Sequence, residues 1–230
     1  MEAKIALIVG ATGLVGSALV QLLLEDTYYK NVVILSRKSL GLTHHKLTEH
    51  LINFEALEEH RDLIQADDVY CCIGTTIKKA KTRQKFYQVD YVYPTELARL
   101  ARFNGTCHFS IITAMGANAQ SSIYYNQVKG EVEETITKLQ FKSLNIFRPS
   151  LLLGDRDEFR LGEEIGKVIA KGLGFAMIGG LKKYKAIEAE AVAVAMQVLT
   201  KRSAEGVNVY ESDQLQAIYE EQGTSVPKAH

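Results

Sequence analysis

Gly10-Ala11-Thr12-Gly13-Leu14-Val15-Gly16 follows the apolar run Ile5 to Val9 and precedes the helix-like stretch Ser17 to Leu24. Strand, glycine turn and helix start, in that order, predict a dinucleotide-binding loop. Glycines permit the tight turn and a close approach of backbone to a pyrophosphate, and the last lets helix and strand pack together. The helix start offers N–H groups and a partial positive charge to phosphates. The spacing is Gly-x-x-Gly-x-x-Gly, not Gly-x-Gly-x-x-Gly. On this stretch alone, a glycine-bearing turn in another kind of α/β protein is the competing reading.

Working outward, strand patterns alternate with helix patterns. Strands are expected at about residues 4–9, 31–35, at a run ending near 53–54, and at 69–74, 107–112, 143–147 and 207–210. Helices are expected at about 13–25, 55–65, 86–103, 123–139 and 187–200. Pro94 either kinks its helix or resets its start. The segment after residue 210 is polar and is expected to fray. This alternation predicts an α/β fold: a Rossmann-type doubly wound parallel sheet of about seven strands, helices on both faces. The 230 residues fit one domain, with a core over about 1–150 and a small C-terminal substrate lobe within about 151–205.

Composition narrows the classes. The formal net charge is zero, so no global field holds nucleic acid or an anionic membrane. No apolar run is long enough to span a bilayer. The first apolar run is short and ends in the glycine loop, unlike a secretory signal. Cys71, Cys72 and Cys107 form no disulfide or Cys-x-x-Cys pattern, so a reducing, cytoplasmic setting is expected. Adjacent Cys71 and Cys72 should face opposite sides of a strand as small buried hydrophobes. His44, His45 and His50 lack a second ligand cluster, and no metal site is expected. The basic run Lys78, Lys79, Lys81, Arg83 and Lys85 carries no interleaved stacking aromatics. It reads as a solvated loop first, an anion-steering rim second and a nucleic-acid patch last.

The end of the second strand decides the cofactor. An acid there grips the ribose of NAD, whereas a cation accepts the 2′-phosphate of NADP. Here the residues are Ser36-Arg37-Lys38. The spacing therefore favours NADP(H) over NAD(H), with solvated loop charges as the alternative. Thr75-Thr76 follow the fourth strand, at the edge where open α/β sheets bind ligands. The helix after the fifth strand carries Tyr125 and Lys129, four residues apart on one face. A lysine cation favours phenolate and so brings a tyrosine within reach of proton transfer. Thr113, at the end of the fifth strand, could orient the same carbonyl oxygen. Together they predict hydride chemistry on a small carbonyl or alcohol, with Tyr125 as proton donor. Tyr-x-x-x-Lys also arises by chance in this composition, so its position carries the weight.

With these motifs in place the chain resembles the short-chain dehydrogenase/reductase superfamily in its extended and atypical forms. The glycine loop, Tyr125 with Lys129, and Arg148-Pro149 through Gly154 carry that resemblance. Cys71 to Thr76, Val89-Asp90, Gln127 to Glu133 and Phe147 to Pro149 with Asp155-Arg156 are similar to its Tat-interacting protein branch. The resemblance implies that Gly10, Thr12, Gly13, Leu14, Val15 and Gly16 line the pyrophosphate. It implies Arg37 and Lys38 at the 2′-phosphate and Asn53-Phe54 beside adenine. Cys72, Ile73, Gly74 and Thr75 would run beside the nicotinamide-side ribose, Lys129 would bond its hydroxyls, and Arg148-Pro149-Ser150 would lie near the nicotinamide. It also implies dimerisation through the helices beginning near Phe86 and Ile123, for which the sequence itself carries no signal. There are departures: Thr113 stands for serine, Ala114 for a second serine, and Asp90 for asparagine. The short substrate lobe argues against a nucleotide-sugar epimerase. A non-catalytic, NADPH-binding regulatory or interaction protein is the alternative to a reductase. Leu151, Leu152, Leu153, Ile165, Val168, Ile169, Leu173 and Phe175 suit core packing, a pocket wall, a lid or a subunit contact.

Overall fold

The computed structural model describes residues 3–153 and 184–224. Gly154, Asp155, Arg156, Ile165, Val168, Ile169, Leu173 and Phe175 lie outside them.

β1 (Lys4–Val9) leads through the glycine loop into α1 (Leu14–Glu25). β2 (Tyr29–Ser36) and β3 (Leu47–Leu51) follow, then a 3-10 segment (Phe54–Leu63) and β4 (Asp68–Cys71). α2 (Ile77–Ala80), α3 (Arg83–Tyr87), a π turn (Gln88–Val92) and α4 (Tyr93–Phe103) lead to β5 (His108–Ile112). α5 (Tyr124–Thr137) and β6 (Ser143–Arg148) come next, with a short pair, β7 (Leu152–Leu153) and β8 (Ile187–Glu188). α6 (Ala189–Arg202), β9 (Gly206–Glu211) and α7 (Ser212–Thr224) complete the described chain.

Seven strands form one sheet in the order β3-β2-β1-β4-β5-β6-β9, every pair parallel. This is the doubly wound fold expected from the alternation. Side chains alternate faces along β1. Ala6 and Ile8 pack with α1 and α6, whereas Leu7 and Val9 pack with α4 and α5. Cys71 and Cys72 divide the same way, one to each face. All four of these β1 side chains are fully buried. Truncating Leu7 to Ala would cost about 2–5 kcal/mol through lost contacts and a cavity. Strand order reverses between β1 and β4, so a crevice opens there at the carboxyl edge, where such sheets bind ligands. The glycine loop leaves β1 on one side of it and Cys72 to Thr75 leave β4 on the other.

Several expected boundaries differ for physical reasons. The helix expected at 55–65 is a 3-10 segment broken at Ala56 and His60. Its buried residues are Phe54 and Leu57, too few for an amphipathic α stripe. The helix expected from Phe86 begins at Arg83 and contains the π turn just before Pro94. Pro94 has no N–H to give the carbonyl of Asp90, four residues back. The register opens instead to Tyr93 N–H donating to Gln88 O, and Thr95 Oγ1 donates to the carbonyls of Tyr91 (2.8 Å) and Val92 (3.0 Å). The segment expected to fray after residue 210 is helical through Thr224. Leu215 is fully buried, and Ile218 and Tyr219 pack against the same core. Their i, i+3, i+4 spacing is the stripe that binds a helix to a core.

Candidate functional site

The glycine loop is built for contact. Gly10 sits at φ +91°, and a Cβ there would lie 2.4 Å from the carbonyl carbon of Cys72. A Cβ on Gly16 would lie 2.2 Å from Gly10 O. These two glycines let β1, the turn after β4 and the start of α1 crowd together. No side chain caps α1, and its first turn carries no acid. That end therefore presents N–H groups and a positive field to an anion. The loop's tight turn and the uncapped N–H groups at the start of α1 suit the pyrophosphate of a dinucleotide. Thr12 is exposed on the turn, Gly13 and Leu14 are half-buried, and Val15 is buried.

Arg37 and Lys38 are exposed immediately after β2. Asn53 Oδ1 accepts the N–H of Glu55 (3.0 Å) and caps the 3-10 segment, while Phe54 is buried against Tyr93 with ring centroids 5.6 Å apart.

The other wall of the crevice is tied to α5. Lys129 Nζ lies 2.7 Å from Asp90 Oδ1, with the two side chains 5% and 0% exposed. The second oxygen of Asp90 accepts the N–H of Thr75 (3.0 Å). Gly74 lies against both charges: a Cβ there would be 3.5 Å from Asp90 Oδ1 and 3.6 Å from Lys129 Nζ. Burial works to lower the lysine's pKa, but the Asp90 carboxylate, with Tyr125 and Cys71, outweighs it and holds Lys129 above the ordinary lysine value. Cys71 is pushed up to about 12 by burial, and Cys72 is pushed up as well, so both stay thiols. The Tyr125 ring is half-buried beside Phe86 of α3, centroids 5.5 Å apart.

Thr113 is placed differently from the role its position suggested. Its hydroxyl donates to Glu133 Oε1 (2.5 Å), with Phe147 O at 3.4 Å. Arg148 forks the same carboxylate, with Nε to Oε1 at 3.0 Å and Nη2 to Oε2 at 2.5 Å. Glu133 acts first, through its hydrogen bonds, to raise the guanidinium above its usual value, against partial burial. Thr113 and Arg148 are therefore engaged with Glu133. Pro149 O accepts the N–H of Met115 (3.0 Å). Ser150 N–H donates to Ser212 Oγ (2.7 Å), and Ser150 Oγ donates to Lys185 O.

In the sequence, Glu133 and Asp90 stand within stretches that carry the resemblance, Asp90 also as a departure from asparagine, and neither is given a contact or a role. Tyr125, Lys129 and Glu133 stand at i, i+4 and i+8 on α5, one stripe facing the carboxyl edge; that spacing was the available signal. Gly130 explains how the stripe is held. A Cβ there would lie 2.0 Å from Ala119 N, so only glycine lets α5 lie against the loop after β5. The basic run forms α2 and α3, capped by Thr76 and Thr82, with its five cations exposed. The Arg83 guanidinium lies over the Tyr124 ring at 4.9 Å, which puts this run beside Tyr125.

Comparison with known proteins fixes the family. A model described as "Semialdehyde dehydrogenase, NAD binding domain" matches residues 5–89. Protein HTATIP2 of Rattus norvegicus is 36% identical over 171 residues, 73% of this chain and 70% of the relative. Protein FMP52, mitochondrial, of Candida albicans is 32% identical over 182 residues, 76% of this chain and 80% of the relative. The Bordetella bronchiseptica enzyme WbmH, solved with NAD+, superposes with a TM-score of 0.68 at 17% identity, covering 100% of this chain and 84% of that one; this likeness shows the fold. Several fungal relatives are named as mitochondrial proteins, which overturns the cytoplasmic expectation. That expectation rested on the cysteine pattern and on a first apolar run unlike a secretory signal, neither of which separates one reducing compartment from another. The chain belongs to the HTATIP2 branch of the atypical short-chain dehydrogenases/reductases, a family of NAD(P)-binding, oxidoreductase-like Rossmann proteins.

Proposed function

We propose that this protein is an NADP(H)-dependent oxidoreductase that reduces a small or lipophilic carbonyl, or oxidises the matching alcohol. The buried Lys129, one helical turn from Tyr125 and beside Gly74 at the switch-point crevice, carries the reading. A bound nicotinamide supplies or accepts the hydride. Gly10 and Gly16 let the loop pack tightly, and the uncapped start of α1 that follows would hold the pyrophosphate. Arg37 and Lys38, exposed after β2, support NADP(H) over NAD(H). NAD+ bound to the structurally similar WbmH supports a nicotinamide cofactor.

Tyr125 gives its phenolic proton to the oxygen that becomes the alcohol. Lys129 would stabilise the phenolate left behind and would hold the ribose hydroxyls of a bound cofactor. Thr113, at the end of β5, would orient the reacting oxygen only by turning its hydroxyl proton from Glu133 to that oxygen. Tyr125→Phe is expected to lower turnover by about 10²–10⁴-fold. Its NADPH affinity, measured by calorimetric titration, should stay near that of the unmodified protein. Normal turnover in this variant would remove Tyr125 as the acid.

A second reading has one observation in its favour. With Thr113 held by Glu133 and alanine at 114, the end of β5 offers the reacting oxygen no hydroxyl donor. That suits a non-catalytic NADPH-binding protein whose cofactor sets a surface for a partner. In that case Gly13→Asp abolishes cofactor and partner binding together, and Tyr125→Phe leaves both intact.

A further inference from the structure

We propose that the basic run on α2 and α3 is a substrate-selecting rim of the crevice. The carbonyl or alcohol turned over there carries a second group that is anionic, a carboxylate or a phosphate. The inference rests on the oxidoreductase reading for turnover, but anion binding at this rim is measurable without it.

Both ends of the run are tied to the site. α2 begins immediately after Thr75 and Thr76, on the crevice wall formed by the turn after β4. α3 lies against the first turn of α5. The Phe86 ring is 6.0 Å from that of Tyr124 and 5.5 Å from that of Tyr125, and the Tyr124 hydroxyl donates to Arg83 O (3.2 Å). Ala80 and Phe86 bury the inner face of the two helices against Val128. Thr76 Oγ1 accepts the Lys79 N–H (3.2 Å) and Thr82 Oγ1 accepts the Lys85 N–H (3.1 Å), so each helix is pinned where it starts. Lys78, Lys79, Lys81, Arg83 and Lys85 are left exposed. Exposed charges act over about 8 Å at physiological salt, so the group that feels them is one held at the Tyr125 end of the crevice.

The field there has one sign. No acid occurs from Val69 to Val89, and residues 113–128 carry no aspartate, glutamate, lysine or arginine. Glu131, the first acid of α5, accepts a hydrogen bond from Gln127 (2.9 Å). Elsewhere on the surface Arg61, Arg99, Lys142, Lys201 and Arg202 each face a carboxylate. Among the described residues, no carboxylate lies within ion-pair distance of Lys78, Lys81, Arg83 or Lys85. In a chain of zero formal net charge, such a patch raises the concentration of anions at one mouth only. Lys81 sits at φ +65°, in the left-handed region that glycine occupies without strain, so a cation stands where glycine would fit more easily. The phosphates of a dinucleotide would be served on the other side of the crevice, by the start of α1 and by Arg37 and Lys38. The anion at this rim is therefore the substrate's own.

The test compares matched substrates with NADPH: butanal against 4-oxobutanoate, and glyceraldehyde against glyceraldehyde 3-phosphate. In the unmodified protein kcat/KM should favour an anionic member about tenfold in about 0.01 M salt, and the preference should shrink in about 0.3 M salt. The pair that shows the preference tells carboxylate from phosphate. Lys78→Gln/Lys81→Gly/Lys85→Gln should bring that ratio near parity. Lys81→Gly alone should lower the ratio about two- to threefold with no fall in Tm, which a merely structural lysine would not do. No preference in either pair overturns the proposal, and so does a preference that neither salt nor the triple variant reduces. If the triple variant fails to fold, Lys81→Gly and the salt dependence decide. Should the unmodified protein reduce none of these aldehydes, that counts against the oxidoreductase reading, and the rim is judged by binding. Amide chemical shifts of the NADPH-loaded protein, titrated with succinate and with glycerol 3-phosphate, should then move in α2, in α3 and at Tyr125, and stay still in the triple variant. Shifts with a DNA duplex alone would make the run a nucleic-acid patch, and no shifts at all would make it a solvated loop; either overturns the proposal.

Discussion

The two edges of the sheet each bury carboxylates, and they use them in opposite ways. At the amino edge, Asp68 is fully buried at the start of β4. It accepts the Tyr29 hydroxyl (2.8 Å), meets His108 Nδ1 (2.6 Å) and lies 3.5 Å from Lys4 Nζ. Tyr29 in turn shares a hydrogen bond with Tyr70 (2.8 Å). Every member belongs to a strand. At the carboxyl edge, Asp90 and Glu133 bind Lys129 and Arg148, and three of these four residues come from the π turn and α5. Burial and ion pairing look alike at both edges. The difference lies in which groups border the switch-point crevice, and in which elements hold them. Strand residues are locked by the ladder on both sides. Helical residues are placed by glycine contacts and a π turn, which a few substitutions can reset. Polar burial therefore marks a site only when it stands at the edge where the fold opens.

The contrast can be broken at either edge. The largest expected effect is on stability at the amino edge. Asp68→Ala strands Lys4, Tyr29 and His108 and should cost about 3–5 kcal/mol in chemical denaturation. Cofactor affinity of the folded fraction should be unchanged; a large loss of affinity would show that the two edges are coupled. Gly10→Ala comes next. Its Cβ overlaps the Cys72 carbonyl at positive φ, so about 1–3 kcal/mol of stability should go. Dinucleotide binding should disappear with it in calorimetric titration. Arg37→Ala is smaller. It should lower the preference for NADPH over NADH by about tenfold, worth about 1.4 kcal/mol. An unchanged ratio would make Arg37 a solvated loop charge.

The smallest effect is a pH dependence confined to the amino edge. Burial first, then the groups facing them, push the Tyr29 and Tyr70 hydroxyls well above the ordinary tyrosine value. Above about pH 10 the unfolded chain loses protons that the folded chain keeps. Stability should therefore be full below that pH and fall as pH rises. Tyr29→Phe should flatten this alkaline slope without moving the pH–rate profile.

Much of this fold was legible because its signals are local. β1, its glycine turn and α1 are contiguous, and their apolar runs and glycines act within a few residues. The π turn was not legible as such. Pro94 announced a disturbance, but whether a helix kinks, restarts or widens depends on where the carbonyls find donors. α7 was legible in retrospect through Leu215, Ile218 and Tyr219, and the polar residues between them hid it. In the site, Tyr125 and Lys129 share a face by spacing alone. The contacts from Thr113 to Glu133 and from Glu133 to Arg148 join the three parts of one β5-α5-β6 crossover, and no periodicity reports which carboxylate a hydroxyl will meet. The role of Asp90 required knowing that two donors arrive from separate elements.

The outermost pairing of the sheet has a consequence for how the chain comes to be. β6 is complete at Arg148, but its outer partner β9 spans Gly206–Glu211. During synthesis the outer edge of β6 waits through more than fifty residues before its hydrogen bonds can close. Such a waiting edge is a template for the wrong strand, from the same chain or another. Val207 and Val209, still partly open to solvent in the finished fold, carry the late arrival that seals it. Nascent chains halted before Gly206 should therefore be the aggregation-prone species, and a holdase that recognises unpaired strand edges should be most effective in that interval.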